Sequence, residues 1–268
     1  MKMTVRTRLW LLATASAAVI AAVLALPPVA QPQAYHAFAD HRTLLGIPHG
    51  LNVLSNVPFL LVGLLGLAFA LKAGGGKPCE GLVDRRESWP YAMLFLGVAL
   101  VGLGSAYYHL HPGNQRLVWD RLPMTLAFLS LLAAVLAERI DVRLGIVMLG
   151  PLLAAGMVSV LYWWWSEGRG AGDLRPYLLA QFFPLLMVPL LVLLFPARYT
   201  RGYDLVVAIA IYGGAKALEG LDQEIFRWSG GSVSGHTLKH LAAALAAGWI
   251  LRMLVRRRLT EQKSRTRF

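Results

Sequence analysis

The chain has 268 residues, of which 57% are hydrophobic and 15% charged, and its mean hydropathy is +0.55. One soluble core could not bury so much apolar surface, so the composition excludes an ordinary soluble domain. The net charge of +12 does not indicate nucleic-acid binding, because hydrophobic stretches separate the basic residues along the chain. The composition predicts a membrane protein and implies no soluble protein partner.

Apolar runs of ~17 to 25 residues, the length that an α-helix needs to cross the hydrocarbon core of a bilayer, occur eight times. In chain order they are Leu9–Val29, Leu51–Leu71, Pro90–Leu110, Leu122–Ala137, Leu144–Trp165, Tyr177–Phe195, Tyr203–Leu221 and His236–Leu254. Backbone polar groups in lipid must be paired within their own segment, so each run is predicted to be a helix. The predicted fold class is all-α: a polytopic membrane protein with a seven-transmembrane-helix core and one additional N-terminal transmembrane helix.

This pattern divides the chain into three parts: an N-terminal anchor helix with an outer loop (1–50), a seven-helix membrane domain (51–254) and a basic cytoplasmic tail (255–268). The first run follows a basic end and could also be a secretory signal. Its length and the following Pro27 and Pro28 favour an anchor. The single cysteine, Cys79, excludes an internal disulfide and a cysteine-based zinc site.

The basic residues predict the orientation of the chain in the membrane. With the N-terminus in the cytoplasm, eighteen of the 26 lysines and arginines fall on the inner side and six on the outer side, while Lys216 and Lys239 lie within spans. Positive charge is enriched on the cytoplasmic side of membrane proteins, so both termini are expected there. The use of Ala, Gly, Leu and Arg is typical of a GC-rich bacterium, which suggests its inner (plasma) membrane.

Polar residues inside the spans mark a candidate site, because an ionisable group there costs about 2.5 to 3.5 kcal/mol on insertion. Ser105 and His109 lie at the end of the third span, Asp120 precedes the fourth, and His236 and His240 begin the last. In the predicted orientation all five lie near the outer side of the membrane. Loop charges alone gave that orientation, so the convergence supports a single site toward the outer leaflet.

The histidines are spaced for a metal. His236 and His240 are four residues apart, which places both imidazoles on one helical face. With His109 as a third ligand, three neutral imidazoles would leave a fourth position open, as in catalytic zinc sites. The alternative is a pair of helix-end histidines that only form hydrogen bonds. Ser105, one turn before His109, could direct its hydroxyl into the same pocket.

These residues resemble the alkaline ceramidase family, in a bacterial type, within the CREST superfamily of seven-helix membrane hydrolases. The matching pieces are Asn52-Val53-Leu54-Ser55-Asn56, Gly104-Ser105 with His109, Asp120 with Leu122-Pro123-Met124, and the pair His236 and His240. The resemblance covers the seven spans from Leu51 to Leu254. It implies zinc held by His109, His236 and His240, catalytic roles for Ser105 and Asp120 beside it, and a membrane lipid as substrate.

The sequence also departs from the family's pattern. His49 stands where the family has an acidic residue before its first asparagine, and the family's acidic N-terminal cluster for calcium has no counterpart here. The resemblance therefore does not favour calcium dependence. Arg121 replaces an acidic residue that follows the catalytic aspartate, and a basic group at the cavity mouth would suit a lipid with an anionic headgroup.

The resulting hypothesis is a zinc-dependent intramembrane hydrolase that cleaves the amide bond of an N-acyl lipid, ceramide or a ceramide-like lipid, to a fatty acid and a free amine. Asp120 would accept and return a proton, and Ser105 would donate a hydrogen bond to the oxyanion. Two alternatives stay open. One is a receptor-like or scaffold membrane protein with a structural zinc site, and the other is a transporter whose polar cluster is an ion path.

Overall fold

The computed structural model describes residues 3–75 and 81–260, in which the chain is mainly helical and β-structure is limited to isolated bridges such as Leu44–Ile47 and Tyr199–Leu259. Cys79 and the tail residues 261–268 lie outside the described residues. The helices are α1 (Val5–Ala25), α2 (Gly50–Leu54), α3 (Val57–Gly74), α4 (Ser88–Leu110), α5 (Asn114–Arg139), α6 (Val142–Gly168), α7 (Arg175–Leu194), α8 (Asp204–Gly220), α9 (Asp222–Trp228) and α10 (Gly235–Arg256).

Seven helical segments in the described ranges are long and apolar enough to cross a membrane, and α2 and α3 together form one of them. The predicted all-α, polytopic fold is therefore confirmed. The remaining predicted span, Tyr203–Leu221, corresponds to α8, whose 17 residues are at the lower limit of a crossing length. α8 packs along α10, but the eighth crossing stays a prediction.

The helices that carry the polar residues approach one another closely at two glycines. A Cβ atom at Gly104 of α4 would lie 1.9 Å from the carbonyl oxygen of Trp119 in α5, and one at Gly235 of α10 would lie 2.2 Å from that of Leu218 in α8. Small residues at helix crossings let backbones come together inside a membrane. The end of α4 is thereby held against the start of α5, and the start of α10 against the end of α8.

Beside the candidate site, two helix boundaries differ from the prediction. The second predicted span is interrupted between α2 and α3, where Pro58 occupies the first turn of α3 and supplies no backbone N–H. α5 begins at Asn114 instead of Leu122, because its first two turns are polar but already helical. Both differences occur beside residues that form the candidate site.

The segment between α1 and α2 crosses the end of the bundle at which the polar residues meet. The N–H of Leu174 donates to the carbonyl of Val29 at 2.8 Å, and the N–H of Gln31 donates to the Glu167 carboxylate at 3.0 Å. Further along, the N–H of Ala39 donates to a carboxylate at the start of α9 at 2.8 Å. These bonds hold the segment over the ends of α4 and α10.

Candidate metal centre

The structure brings together the three histidines that the sequence singled out. His109 of α4 and His236 and His240 of α10 are buried, and their potential ligand atoms all lie within 4.8 Å of one another. The Nε2 atoms of His109 and His236 are 3.3 Å apart. Two nitrogens bound to one tetrahedral zinc at ~2.0 to 2.1 Å would be about 3.4 Å apart, so the spacing fits a shared zinc. An N–H···N hydrogen bond would give a similar distance.

His240 supplies independent evidence that the group fits a metal. Its Nδ1 lies 2.8 Å from the hydroxyl oxygen of Ser55, and that hydroxyl donates its only proton to the Asn52 carbonyl at 3.1 Å. With the Ser55 proton on that carbonyl, the His240 proton would lie on Nδ1 and Nε2 would be unprotonated. This Nε2 is buried and has no hydrogen-bond partner among the described residues. An unpaired buried acceptor costs about 1 to 3 kcal/mol, which a bound cation would relieve.

The start of α10 and the outer surface of the histidine group are fixed by residues to which the sequence analysis gave no role. One carboxylate oxygen of Asp222 accepts the backbone N–H of His236 at 2.7 Å, and the other accepts that of Ala39. Phe38 packs its ring against His109 and His236, with centroid distances of 4.7 and 4.4 Å. The α1–α2 segment thus covers the histidine group.

The neighbouring histidines of the described chain serve other contacts. His36 pairs its ring nitrogens with the Tyr108 hydroxyl at 2.7 Å and the Asn114 side chain at 2.8 Å. His49 immediately precedes α2 with its backbone in the left-handed region, at a φ of 49°, and its Nδ1 lies 3.2 Å from the Asp40 carbonyl oxygen. Neither belongs to the three-histidine group.

Ser105 and Asp120 are buried beside the histidines, and the Ser105 side chain is near enough to the Asp120 carboxylate to interact with it. Together with His240 they line a cavity of about 880 Å³, counting its open mouth. The structure therefore places all five predicted site residues in one region.

The body of this cavity is apolar. From Ser105 it continues along one face of α4 through Val101 and Val98 to Leu94, a distance of about 16 Å at the helical rise. Ala243, Ala247 and Ile250 extend in the same way along α10 from His240. A cavity with a polar end and a long apolar body has the shape and chemistry to hold a fatty acyl chain beside the polar groups.

Lys239 is a site residue to which the sequence analysis gave no role. It lines the cavity, its ammonium donates to Glu219 at 2.6 Å, and its Nζ lies 3.5 Å from Nε2 of His236. Lys216 pairs with the same carboxylate from within α8. The Tyr35 hydroxyl lies 3.5 Å from Glu219, and burial raises the pKa of this phenol, which keeps it protonated as a donor. The sequence could have indicated this role, because Lys239 is a charged residue inside a predicted span and follows His236 by one helical turn.

The expectation that Arg121 lies at the cavity mouth is wrong. Arg121 is only 4% exposed and is not part of the cavity lining. Its guanidinium carbon lies 4.1 Å from the Trp163 ring centroid and 4.5 Å from that of Tyr177, and it donates to the Gln31 side chain at 2.5 Å. Because α5 is already helical here, Arg121 is rotated ~100° from Asp120 and faces α6 and α7.

These features define a multi-pass membrane protein with a buried candidate metal site at the polar end of an apolar cavity. A family model described as Ceramidase matches residues 47–200, more than half of the chain, and the chain belongs to the ceramidase family. Membership implies an amidohydrolase with a lipid substrate. The match includes Ser105, His109 and Asp120. His236 and His240 lie beyond the matched residues, and the packing of α10 places them next to His109. The chain matches no curated protein and no solved structure.

Proposed function

We propose that the protein is a zinc-dependent intramembrane hydrolase that cleaves the amide bond of an N-acyl lipid, ceramide or a ceramide-like lipid, and releases a fatty acid and a free amine. One observation carries the proposal: in a ceramidase-family chain, three mutually close buried histidines and the Ser105–Asp120 pair meet at the polar end of an apolar cavity. The proposal does not require calcium.

His109, His236 and His240 would hold the zinc. Once bound, the metal would supply Lewis-acid chemistry, activating a water molecule and polarising the amide carbonyl. A set of three neutral imidazoles with an open fourth position is typical of such catalytic zinc. The unpaired Nε2 of His240 and the hydrogen bond between its Nδ1 and Ser55 support this ligand set.

Asp120 would act as the general base and then as the general acid. Its carboxylate takes a proton from the attacking water and returns it to the leaving nitrogen, a role that typically contributes ~10²- to 10⁴-fold. The Ser105 hydroxyl, which has one proton, would donate it to this carboxylate and so orient it. In this arrangement that proton is not free for an oxyanion, so the proposal assigns Ser105 first to positioning Asp120.

Lys239 is the better candidate for stabilising negative charge on the carbonyl oxygen. Its ammonium has three protons, Glu219 accepts one of them, and the side chain lines the cavity beside His240 and Asp120. A fixed cation at the point where charge develops stabilises the transition state more than the ground state. Glu219 holds this cation in place from α8.

The apolar body of the cavity would bind the acyl chain and exclude water from it. Val98 and Val101 of α4 and Ala243 and Ala247 of α10 line this region. With the acyl chain there, the amide group reaches the polar end and the amine portion of the lipid extends to the cavity mouth. Burial of the acyl chain of the substrate would thus position the scissile amide bond.

The test is hydrolysis of a panel of N-acyl lipids by the purified protein, with fatty acid and amine products measured together by mass spectrometry. We expect equimolar products from at least one ceramide-like lipid. A scaffold with structural zinc would retain the metal and release fatty acid from none of them, which would contradict the proposal.

Two lysine variants make the test specific to the site. Lys239→Met should lower kcat by ~10²- to 10³-fold with zinc retained, the usual effect of losing an oxyanion-stabilising donor. Lys216→Met is the matched control, because Lys216 pairs with the same Glu219 but does not line the cavity. Equal losses in both variants would indicate that only the ion-pair cluster matters.

A further inference from the structure

At the end of the bundle opposite the histidines, arginines from three separate elements face one pocket of about 870 Å³, counting its open mouth. Arg8 belongs to the first turns of α1, Arg139 is the last residue of α5, and Arg201 lies between α7 and α8. This pocket shares no lining residue with the cavity beside the histidines. It is therefore a separate feature that the proposed hydrolysis does not use.

The arginines have unused capacity for an anion. Arg139 is only 8% exposed, it donates a hydrogen bond to the carbonyl of Phe195 at 3.1 Å, and no carboxylate in the described part of the chain forms an ion pair with it. Its neighbour Glu138 is already bonded to Arg257 and to the Tyr91 hydroxyl. A buried guanidinium without a counter-ion is costly, so its position favours an anionic ligand.

The other two arginines add to this charge. The Nε atom of Arg8 is buried and has no hydrogen-bond partner among the residues described. Arg201 donates to Asp204 at 2.7 Å. Among the described residues, this is the one ion pair that any of the three arginines forms with a carboxylate. Three guanidinium groups against one carboxylate leave two positive charges in excess.

One wall of the pocket is apolar and faces outward from the bundle. Val192, Leu193 and Leu194, in the last turn of α7, line it, and Leu193 is 71% exposed. α1 packs against α7, so the pocket opens beside the groove between these two apolar helices. A ligand with a phosphate for the arginines and acyl chains for this groove would satisfy both surfaces.

We propose that this pocket binds the phosphate headgroup of an anionic phospholipid, with the acyl chains lying against α1 and α7. Arginine forks match phosphate oxygens in geometry, and basic pockets between membrane helices recognise such headgroups. The charge distribution of the loops predicts that this end of the bundle is cytoplasmic, the side on which anionic lipids attract basic residues. The lipid would fasten α1 to the core of the bundle.

The experiment uses the full chain purified in a neutral detergent and measures lipid binding by native mass spectrometry and by the shift in thermal unfolding temperature. The probes are phosphatidylglycerol, phosphatidylcholine and inorganic phosphate at equal phosphate concentration. We expect phosphatidylglycerol to bind and stabilise, with little effect of the other two. Equal effects of phosphatidylcholine would overturn the proposal, and an equal effect of inorganic phosphate would assign the pocket to a free anion instead of a lipid.

Variants assign the binding to the pocket. Arg8→Gln and Arg139→Gln should each weaken phosphatidylglycerol binding by at least about fivefold, the effect of one basic residue near an anionic headgroup. Arg143→Gln is the matched control, because Arg143 is exposed at the same end of the bundle and does not line the pocket. Arg8 lies at the surface of the bundle, so its variant decides the question if Arg139→Gln fails to fold. Wild-type affinity in Arg8→Gln would overturn the proposal.

Discussion

Replacing Ser55 by alanine would test the hydrogen bond that orients His240. The Ser55 oxygen lies 2.8 Å from Nδ1 of His240, both residues are buried, and Ser55 does not line the cavity. Loss of such a partner typically costs ~10- to 100-fold in metal affinity, or about 1.4 to 2.8 kcal/mol. The cost of leaving a buried donor unpaired, about 1 to 3 kcal/mol, is of the same size. We therefore expect zinc affinity to fall by ~10- to 100-fold.

The assay is competition for zinc against a chromophoric chelator, followed by thermal unfolding with and without the metal. Ser130→Ala is the matched control: this hydroxyl is buried in α5 and has no hydrogen-bond partner in the described part of the chain. Its zinc affinity should equal that of the wild type. If Ser55→Ala also binds zinc as tightly as the wild type, His240 does not ligate through Nε2 as proposed.

Three further predictions test the base, the helix packing and the ligand set. Asp120→Asn should retain zinc and lose ~10²- to 10⁴-fold in hydrolysis rate, since an amide cannot take up the proton; near-normal turnover would remove Asp120 from the chemistry. Gly104→Ala should lower the thermal unfolding temperature, at a cost of about 1 to 3 kcal/mol or more, because its Cβ would meet the Trp119 carbonyl. Gly113→Ala, with open space around the Cβ, should unfold like the wild type. His49→Asn, which tolerates the left-handed backbone there, should leave zinc content unchanged, and a loss of zinc would add His49 to the ligands.

The helices could be predicted from the sequence because the bilayer imposes both their length and their internal hydrogen bonding. The five polar residues of the site could be predicted for a related reason. Ionisable groups in or beside membrane spans are costly, so the presence of His109, Asp120 and the His236–His240 pair there itself indicated a functional site. The fold then added the proximity of α4, α5 and α10, which glycines at the helix crossings allow.

The orientation of Arg121 could not be predicted, because it depends on where α5 begins. Hydropathy placed the start at Leu122, after the polar turns, whereas hydrogen bonding extends the helix back to Asn114. A residue assigned to a loop can point in any direction, but in a helix its direction is fixed relative to Asp120. The same shift places the Arg121 guanidinium against Trp163, which is fully buried.

The role of Phe38 could not be predicted either. It lies in a non-helical part of the α1–α2 segment, where no hydrophobic periodicity indicates which side chains are buried. Its position over His109 and His236 follows from long-range bonds such as that from Ala39 to Asp222, which are separated by most of the chain. Lys239 is different: its place in a span was visible, but its partner Glu219 on another helix was not.

The most direct test of the zinc-dependent function is to remove the metal with a chelator, restore zinc in steps, and measure fatty-acid release together with zinc bound per chain. We expect no hydrolysis of the N-acyl lipid without zinc, an increase in proportion to bound zinc up to one equivalent, and no recovery in His240→Ala. Full hydrolysis by the zinc-free protein, or none at one bound zinc per chain, would contradict the proposed function.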